Sequence, residues 1–70
     1  MKISARNVLP GKVTAIVRGP VSTEVTLEIA PGVQITSTIT STSAQALGLK
    51  EGAKVYGVIK ASSVMIGIDD

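Results

Sequence analysis

The sequence predicts an all-β protein of five short strands and one short helix. Three observations predict it. Val, Ile and Thr dominate while aromatic residues make up only 1% of the chain, and β-branched side chains suit a pleated, half-buried surface. Apolar and polar residues alternate with period two in several segments, the pattern of an antiparallel sheet with one buried face. Gly-Pro and Pro-Gly pairs stand between those segments, where the chain has to reverse.

The first alternating segment, Lys12 to Arg18, sets Val13, Ala15 and Val17 on one face. Gly19-Pro20 breaks the chain before the second. From Val21 to Ala30, Thr23, Val25, Leu27 and Ile29 face inward and Glu24, Thr26 and Glu28 outward. Pro31-Gly32 makes a tight hairpin. Val33 to Thr40 then sets Val33, Ile35 and Ile39 against Gln34, Thr36, Thr38 and Thr40.

Ser43-Ala44-Gln45-Ala46-Leu47-Gly48 breaks the period. Helix formers follow a hydroxyl that can cap the start, and Gly48 ends a helix of one or two turns. Leu49-Lys50-Glu51-Gly52 turns into the fourth strand, Ala53 to Lys60. There Val55, Gly57 and Ile59 oppose Lys54, Tyr56, Val58 and Lys60. A last short strand runs from Val64 to Ile68. Five strands with a short helix between the third and fourth is the order of an OB-like barrel.

Seventy residues make one domain, residues 1–70. A chain this short buries little surface, and small domains add disulfides, a metal or a partner subunit. With neither Cys nor His in the chain, disulfides and a structural zinc are excluded, and oligomerisation remains. An apolar content of 44% and a mean hydropathy of +0.42 agree, since exposed apolar area usually has a partner. The net charge of +2 permits an anionic ligand without announcing nucleic acid. Met1-Lys2 is followed by Ile3-Ser4-Ala5-Arg6, with no apolar run behind it. No stretch approaches the length of a membrane span. The expected compartment is the cytoplasm, and no membrane partner is expected.

The residues that carry chemistry point to binding. No base is available for a nucleophile, because the chain lacks His and its five carboxylates do not cluster with one. An enzyme is therefore not expected, nor are direct side-chain metal ligands. Ser4-Ala5-Arg6-Asn7 near the start and Lys60-Ala61-Ser62-Ser63 near the end each hold a cation and a hydroxyl two residues apart. On a strand that spacing puts both on one face. Ser4, Arg6, Lys60 and Ser62 together suit a tetrahedral oxyanion, since every group donates and two are charged. The backbone amide of Ala61 is a further candidate donor. Thr40 and Ser43 bracket the helix start, where one caps the helix and where backbone donors also favour an anion. Tyr56 reads as a barrel-surface or interface residue, and Met65 as apolar filler.

These residues resemble a known family. The chain is similar to the molbindins, small stand-alone molybdate-binding or molybdenum-pterin-binding proteins of the Mop/TOBE type. The same module occurs in molybdate-responsive regulators and molybdate importer ATPases. The resemblance covers the whole chain. It rests on Ile3-Ser4-Ala5-Arg6-Asn7, Gly11-Lys12-Val13, Glu24-Val25 with Leu27, Ile35-Thr36-Ser37, Val58-Ile59-Lys60-Ala61, and Val64-Met65-Ile66. It implies a barrel whose strands are exchanged between two subunits, and a hexamer built as a trimer of such dimers. It also implies molybdate or tungstate bound between subunits, for molybdenum storage or homeostasis. A second class of anion near the Gly19 loop, on the threefold axis, is implied as well, which assigns Gly19, Val21 and Ser22. Pro20 departs from the pattern there and removes one backbone donor.

Within this picture Arg6 and Lys60 are expected to meet across a subunit boundary. An alternative reading is an OB-type nucleic-acid-binding module. Such modules stack bases on aromatic residues over a basic groove, and one Tyr with no Phe or Trp tells against it. A purely structural oligomer is the third reading.

Overall fold

Twelve consecutive residues, Asn7–Arg18, form β1, the strand on which the rest of the sheet is organised. In the computed structural model, which describes residues 1–70, β1 pairs antiparallel with both β2 (Ser22–Ala30) and β4 (Lys54–Ile59). β3 (Val33–Thr40) pairs with the far side of β2, giving a four-stranded sheet of order β3-β2-β1-β4. The helix α1 (Ser41–Ala46) follows β3 directly.

β1 begins five residues earlier than the alternation suggested, and Pro10 explains how. The Val13 amide donates to the Ala53 carbonyl at 3.0 Å, so that pair is hydrogen-bonded. Alternation then makes Lys12/Lys54 and Pro10/Tyr56 non-hydrogen-bonded pairs across β1 and β4. Pro10 needs no N–H toward β4, and pairing with β2 starts only at Lys12 opposite Glu28. A proline is tolerated at such a position.

The expected inner face of β1 is correct only at Val13. Val13 lies opposite Leu27, but Ala15 lies opposite Thr26, so Thr14 is an extra residue in a β-bulge. One inserted residue moves every later side chain to the other face. Ile16 therefore packs on the core, while Ala15 and Val17 are exposed. The Thr14 hydroxyl donates to the Thr26 carbonyl at 3.3 Å and holds the bulge.

The alternation read on β2 and β4 is the one observed. Thr23, Val25 and Leu27 are buried and Ile29 half-buried on β2. Gly57 is buried on β4 between half-buried Val55 and Ile59. The core is small: Val13, Val25 and Leu27, with Ile16, Ile29, Ile35, Ile39, Leu49, Ala53 and Val55 packed around it. Gly57 lets β4 fold toward β3 across this core, since a Cβ there would lie 2.7 Å from Ile35 Cδ1 and 3.3 Å from Leu27 Cδ1. At the hairpin, Ala30 pairs with Val33 around Pro31-Gly32, and Gly32 takes the φ of +76° that a turn residue after proline requires.

The helix starts two residues before the segment read from composition. Thr40 is its N-cap and accepts from the Ser43 amide, because Ser41 and Thr42 already sit in the first turn. Val64–Ile68, expected as a fifth strand, forms no strand in the single chain. Met65, Ile66 and Ile68 are each about 90% exposed. β3 and β4 remain unpaired to one another. An apolar concavity of about 540 Å³ lies between them, lined by Leu27, Ile35, Ile39, Val55 and Ile59 among others. No helix is long and apolar enough to cross a membrane.

Candidate functional site

Asn7 and Ile59 close the pairing of β1 and β4. Arg6 precedes one of them and Lys60 follows the other, so the two cations sit side by side at strand ends within one chain. Within one chain the register alone brings these two strand ends together. The Asn7 carboxamide donates to the Ile59 carbonyl at 3.3 Å, which fixes the end of the ladder beneath them.

Neither cation–hydroxyl pair lies on a strand, so the same-face argument from spacing does not apply. Ser4 to Arg6 precede β1 as bends and irregular chain. Lys60 is extended, at φ −62° and ψ 133°, and Ala61–Ser63 form a 3-10 turn behind it. That turn presents donors by another route. Its first bond runs from the Ser63 amide to the Lys60 carbonyl at 2.8 Å. The amides of Ala61 and Ser62 precede that bond and have no partner inside the turn. Two amides, the Ser62 hydroxyl, the Lys60 ammonium and the Arg6 guanidinium thus gather at one corner, and Ser4 lies two residues upstream of Arg6. All five named residues are exposed.

Thr40 and Ser43 are not in this corner. They stand at the opposite end of β1, a twelve-residue strand that would span about 36 Å if straight. There they join the second predicted group. Ser22 pairs with Thr40, and the Ser41 amide donates to the Val21 carbonyl at 2.8 Å. The Thr40 hydroxyl accepts from the Ser43 amide at 3.0 Å and donates to the Ser43 hydroxyl at 2.7 Å. Its single proton is spent, so only Ser43 keeps a free O–H to offer.

Ser41, which the sequence reading passed over, organises this end. Its hydroxyl donates to the Gly19 carbonyl at 2.6 Å. With that proton used, the 2.8 Å contact to Thr23 must run from the Thr23 hydroxyl to Ser41. Thr23 is 1% exposed, so this bond satisfies a buried hydroxyl. Gly19 is required beside it, since a Cβ would come 2.6 Å from the Ser22 carbonyl oxygen. Arg18 donates to the Leu49 carbonyl at 2.8 Å and ties the segment after α1 to the same end. A hydroxyl in the first helical turn was the only sequence signal for Ser41. Nothing in the pattern marked Arg18.

No group of three or more His, Cys, Asp or Glu gathers anywhere to hold a metal ion. The chemistry on offer is donation of hydrogen bonds and positive charge to an anion. The TOBE domain model matches residues 3–66. Molybdenum-pterin-binding protein 1 of Clostridium pasteurianum is 53% identical over 66 residues, 94% of this chain and 97% of the relative. The solved structure of MopII from the same organism superposes with a TM-score of 0.89 at 51% identity, covering 96% of this chain and all of that one. The molybdate-bound structure of ModG, described as a cytoplasmic molybdate-binding protein, gives a TM-score of 0.92 at 46% identity, over 99% of this chain and 49% of that one. On the matched domain, the shared sequence and the shared fold, the chain belongs to the TOBE domain family and to its small molybdenum-pterin-binding, or molbindin, members.

Proposed function

We propose that this protein binds molybdate, and tungstate alike, between subunits of a homo-oligomer, and serves intracellular molybdenum storage or homeostasis in the cytoplasm. It is a binding protein and not an enzyme. The observation that carries the reading is the corner where Arg6, Lys60, Ala61 and Ser62 converge at the paired ends of β1 and β4. Two cations side by side repel one another, and a dianion between them relieves that repulsion. Charged and fixed neutral donors on one side also suit a tetrahedral oxyanion. Relatives named for molybdenum-pterin and molybdate binding support the choice of ligand.

A shared site follows from what one chain leaves unfinished. The corner is exposed on every residue, whereas Thr40 and Ser43 lie at the far end of β1. A second copy brings its own Thr40 and Ser43 to the Arg6–Lys60 corner of the first. The open concavity between β3 and β4 and the bare apolar tail, Val64 to Ile68, are complementary. Exchange of the tail between two copies supplies the fifth strand, closes the OB-like barrel and removes the exposed edges. Three such dimers make a hexamer, with Gly19, Val21 and Ser22 as a second oxyanion site near its axis.

Calorimetric titration with molybdate, tungstate, sulfate and phosphate tests the ligand. Tight binding of the first two and weak binding of the last two is expected. Equal weak heats for all four would overturn the reading.

A further inference from the structure

We propose that Ser41 is a positioning residue that acts across the subunit boundary: its hydroxyl fixes the start of α1, and with it the Ser43 hydroxyl that meets the Arg6–Lys60 corner of a second copy. The inference rests on the reading that Thr40 and Ser43 of one copy complete the corner of another. α1 has little of its own to hold it in place. Its six residues make a helix too short to be stable alone. No acidic residue stands in its first turn and no basic residue in its last, so side-chain charge adds nothing at either end. Ala44 is its single buried side chain. One buried methyl group sets the depth of a helix and leaves its rotation about that point open.

Ser41 removes that freedom. Its amide donates to the Val21 carbonyl at 2.8 Å and its hydroxyl to the Gly19 carbonyl at 2.6 Å. The buried Thr23 hydroxyl donates to the same Ser41 oxygen at 2.8 Å. Thr23 is a firm anchor, since it lies inside β2 between Arg18 of β1 and Ile39 of β3. Ser43 stands two residues beyond Ser41, in the same turn. Its own ties are the bonds of 3.0 and 2.7 Å to the Thr40 hydroxyl, and both are exposed. Water competes for exposed bonds, whereas the two side-chain bonds of Ser41 are part-buried. Where the Ser43 hydroxyl points is therefore set by Ser41. That hydroxyl keeps the one free O–H at this end, and a donor serves a fixed anion only when its own placement is fixed.

Ser41→Ala alone mixes position with stability, because it strands the buried Thr23 hydroxyl. The double variant Thr23→Val/Ser41→Ala removes both partners, which can be nearly neutral for stability, yet it still cuts the tie to Gly19. Molybdate titration of the full chain well below the melting temperatures, with thermal unfolding beside it, compares the two. The double variant should regain most of the lost melting temperature, while both variants bind molybdate about fivefold more weakly than the wild type. Wild-type affinity in either variant overturns the proposal. Coexpression of the double variant with Lys60→Ala reads the direction of the effect. In a mixed dimer one site carries both lesions and the other carries neither, so about a quarter of all sites should bind as in the wild type. A Ser41 lesion that acts on the corner of its own subunit leaves no such sites, and their absence overturns the proposal. Lys60→Ala binding molybdate as tightly as the wild type overturns the corner itself, so the two failures are told apart.

Discussion

The Asn7 side chain donates to the Ile59 carbonyl at 3.3 Å across the last pair of β1 and β4. It reinforces the last pair of the ladder, beyond which Arg6 and Lys60 leave the sheet. Asn7→Ala keeps both cations but loosens the strand ends that carry them. The expected cost is ~1 kcal/mol of stability, the net worth of one neutral hydrogen bond. Molybdate affinity should fall about threefold to tenfold as the donors lose their fixed spacing. Denaturant unfolding and calorimetry on the same variant measure both. A variant with unchanged affinity would show that the corner does not depend on this pairing.

Charged donors at the corner should matter more than neutral ones. Arg6→Ala and Lys60→Ala should each weaken molybdate binding by about tenfold to a hundredfold, and Ser62→Ala by about fivefold. The four-stranded sheet should persist, because both cationic side chains are exposed and lie beyond the paired residues. The Ser62 hydroxyl should instead alter the ranking of molybdate against sulfate. Titration of all three variants checks this, and equal losses would move the weight to the amides of Ala61 and Ser62.

Gly57 leaves room for the core to close. A Cβ would meet Ile35 Cδ1 at 2.7 Å and Leu27 Cδ1 at 3.3 Å, both ends of side chains and not backbone. Gly57→Ala should therefore destabilise by about 1–3 kcal/mol through overpacking without abolishing the fold. Adding Ile35→Val removes the colliding methyl and should recover part of the loss, a coupling that a double-mutant cycle reads. Purely additive losses would mean that the collision is relieved elsewhere.

Ser41→Ala removes the hydroxyl that serves two partners. Thr23 loses its acceptor and the Gly19 carbonyl loses its donor. A buried hydroxyl left unpaired costs ~1–3 kcal/mol. The Gly19–Ser22 loop should loosen as well, since the Ser41 side chain is one of its two ties to α1. The expected signature is a lower melting temperature with faster amide exchange at Val21 and Ser22. An unshifted melting temperature would sink this account.

β2 and β4 were legible because each alternates between an inner and an outer face, as Val25 and Leu27 do against Glu24 and Thr26, whereas on β3 only Ile35 and Ile39 are half-buried and Val33 is 48% exposed. β1 was half legible. Thr14 is an ordinary strand residue, and nothing in its neighbours announces a bulge, yet it reverses the roles of Ile16 and Val17. The candidate site was legible as a set of donors but not as a place. Arg6 and Lys60 are neighbours through the register of β1 and β4, which composition does not reveal. Thr40 and Ser43 were grouped with them by chemistry, while the chain carries them to the other end of the sheet. The Val64–Ile68 segment has strand character that its own chain leaves unpaired, and a strand signal says nothing about which molecule supplies the partner.

That segment gives the test of assembly. Val64, Met65, Ile66 and Ile68 expose apolar side chains beside no partner, and Ile66 is 89% exposed. If a second copy covers them, Ile66→Asp buries a carboxylate in an apolar groove, which is strongly unfavourable. The variant should dissociate to smaller species while the wild-type chain sediments as a hexamer at micromolar concentration. If the proposed site is shared between subunits, molybdate should raise the melting temperature of the wild type by mass action on the assembly. The same anion should raise that of Ile66→Asp far less. Sedimentation equilibrium of the wild type at the 7.1 kDa mass of one chain would refute the shared site. An Ile66→Asp variant that keeps the full assembly would refute the tail as its seam.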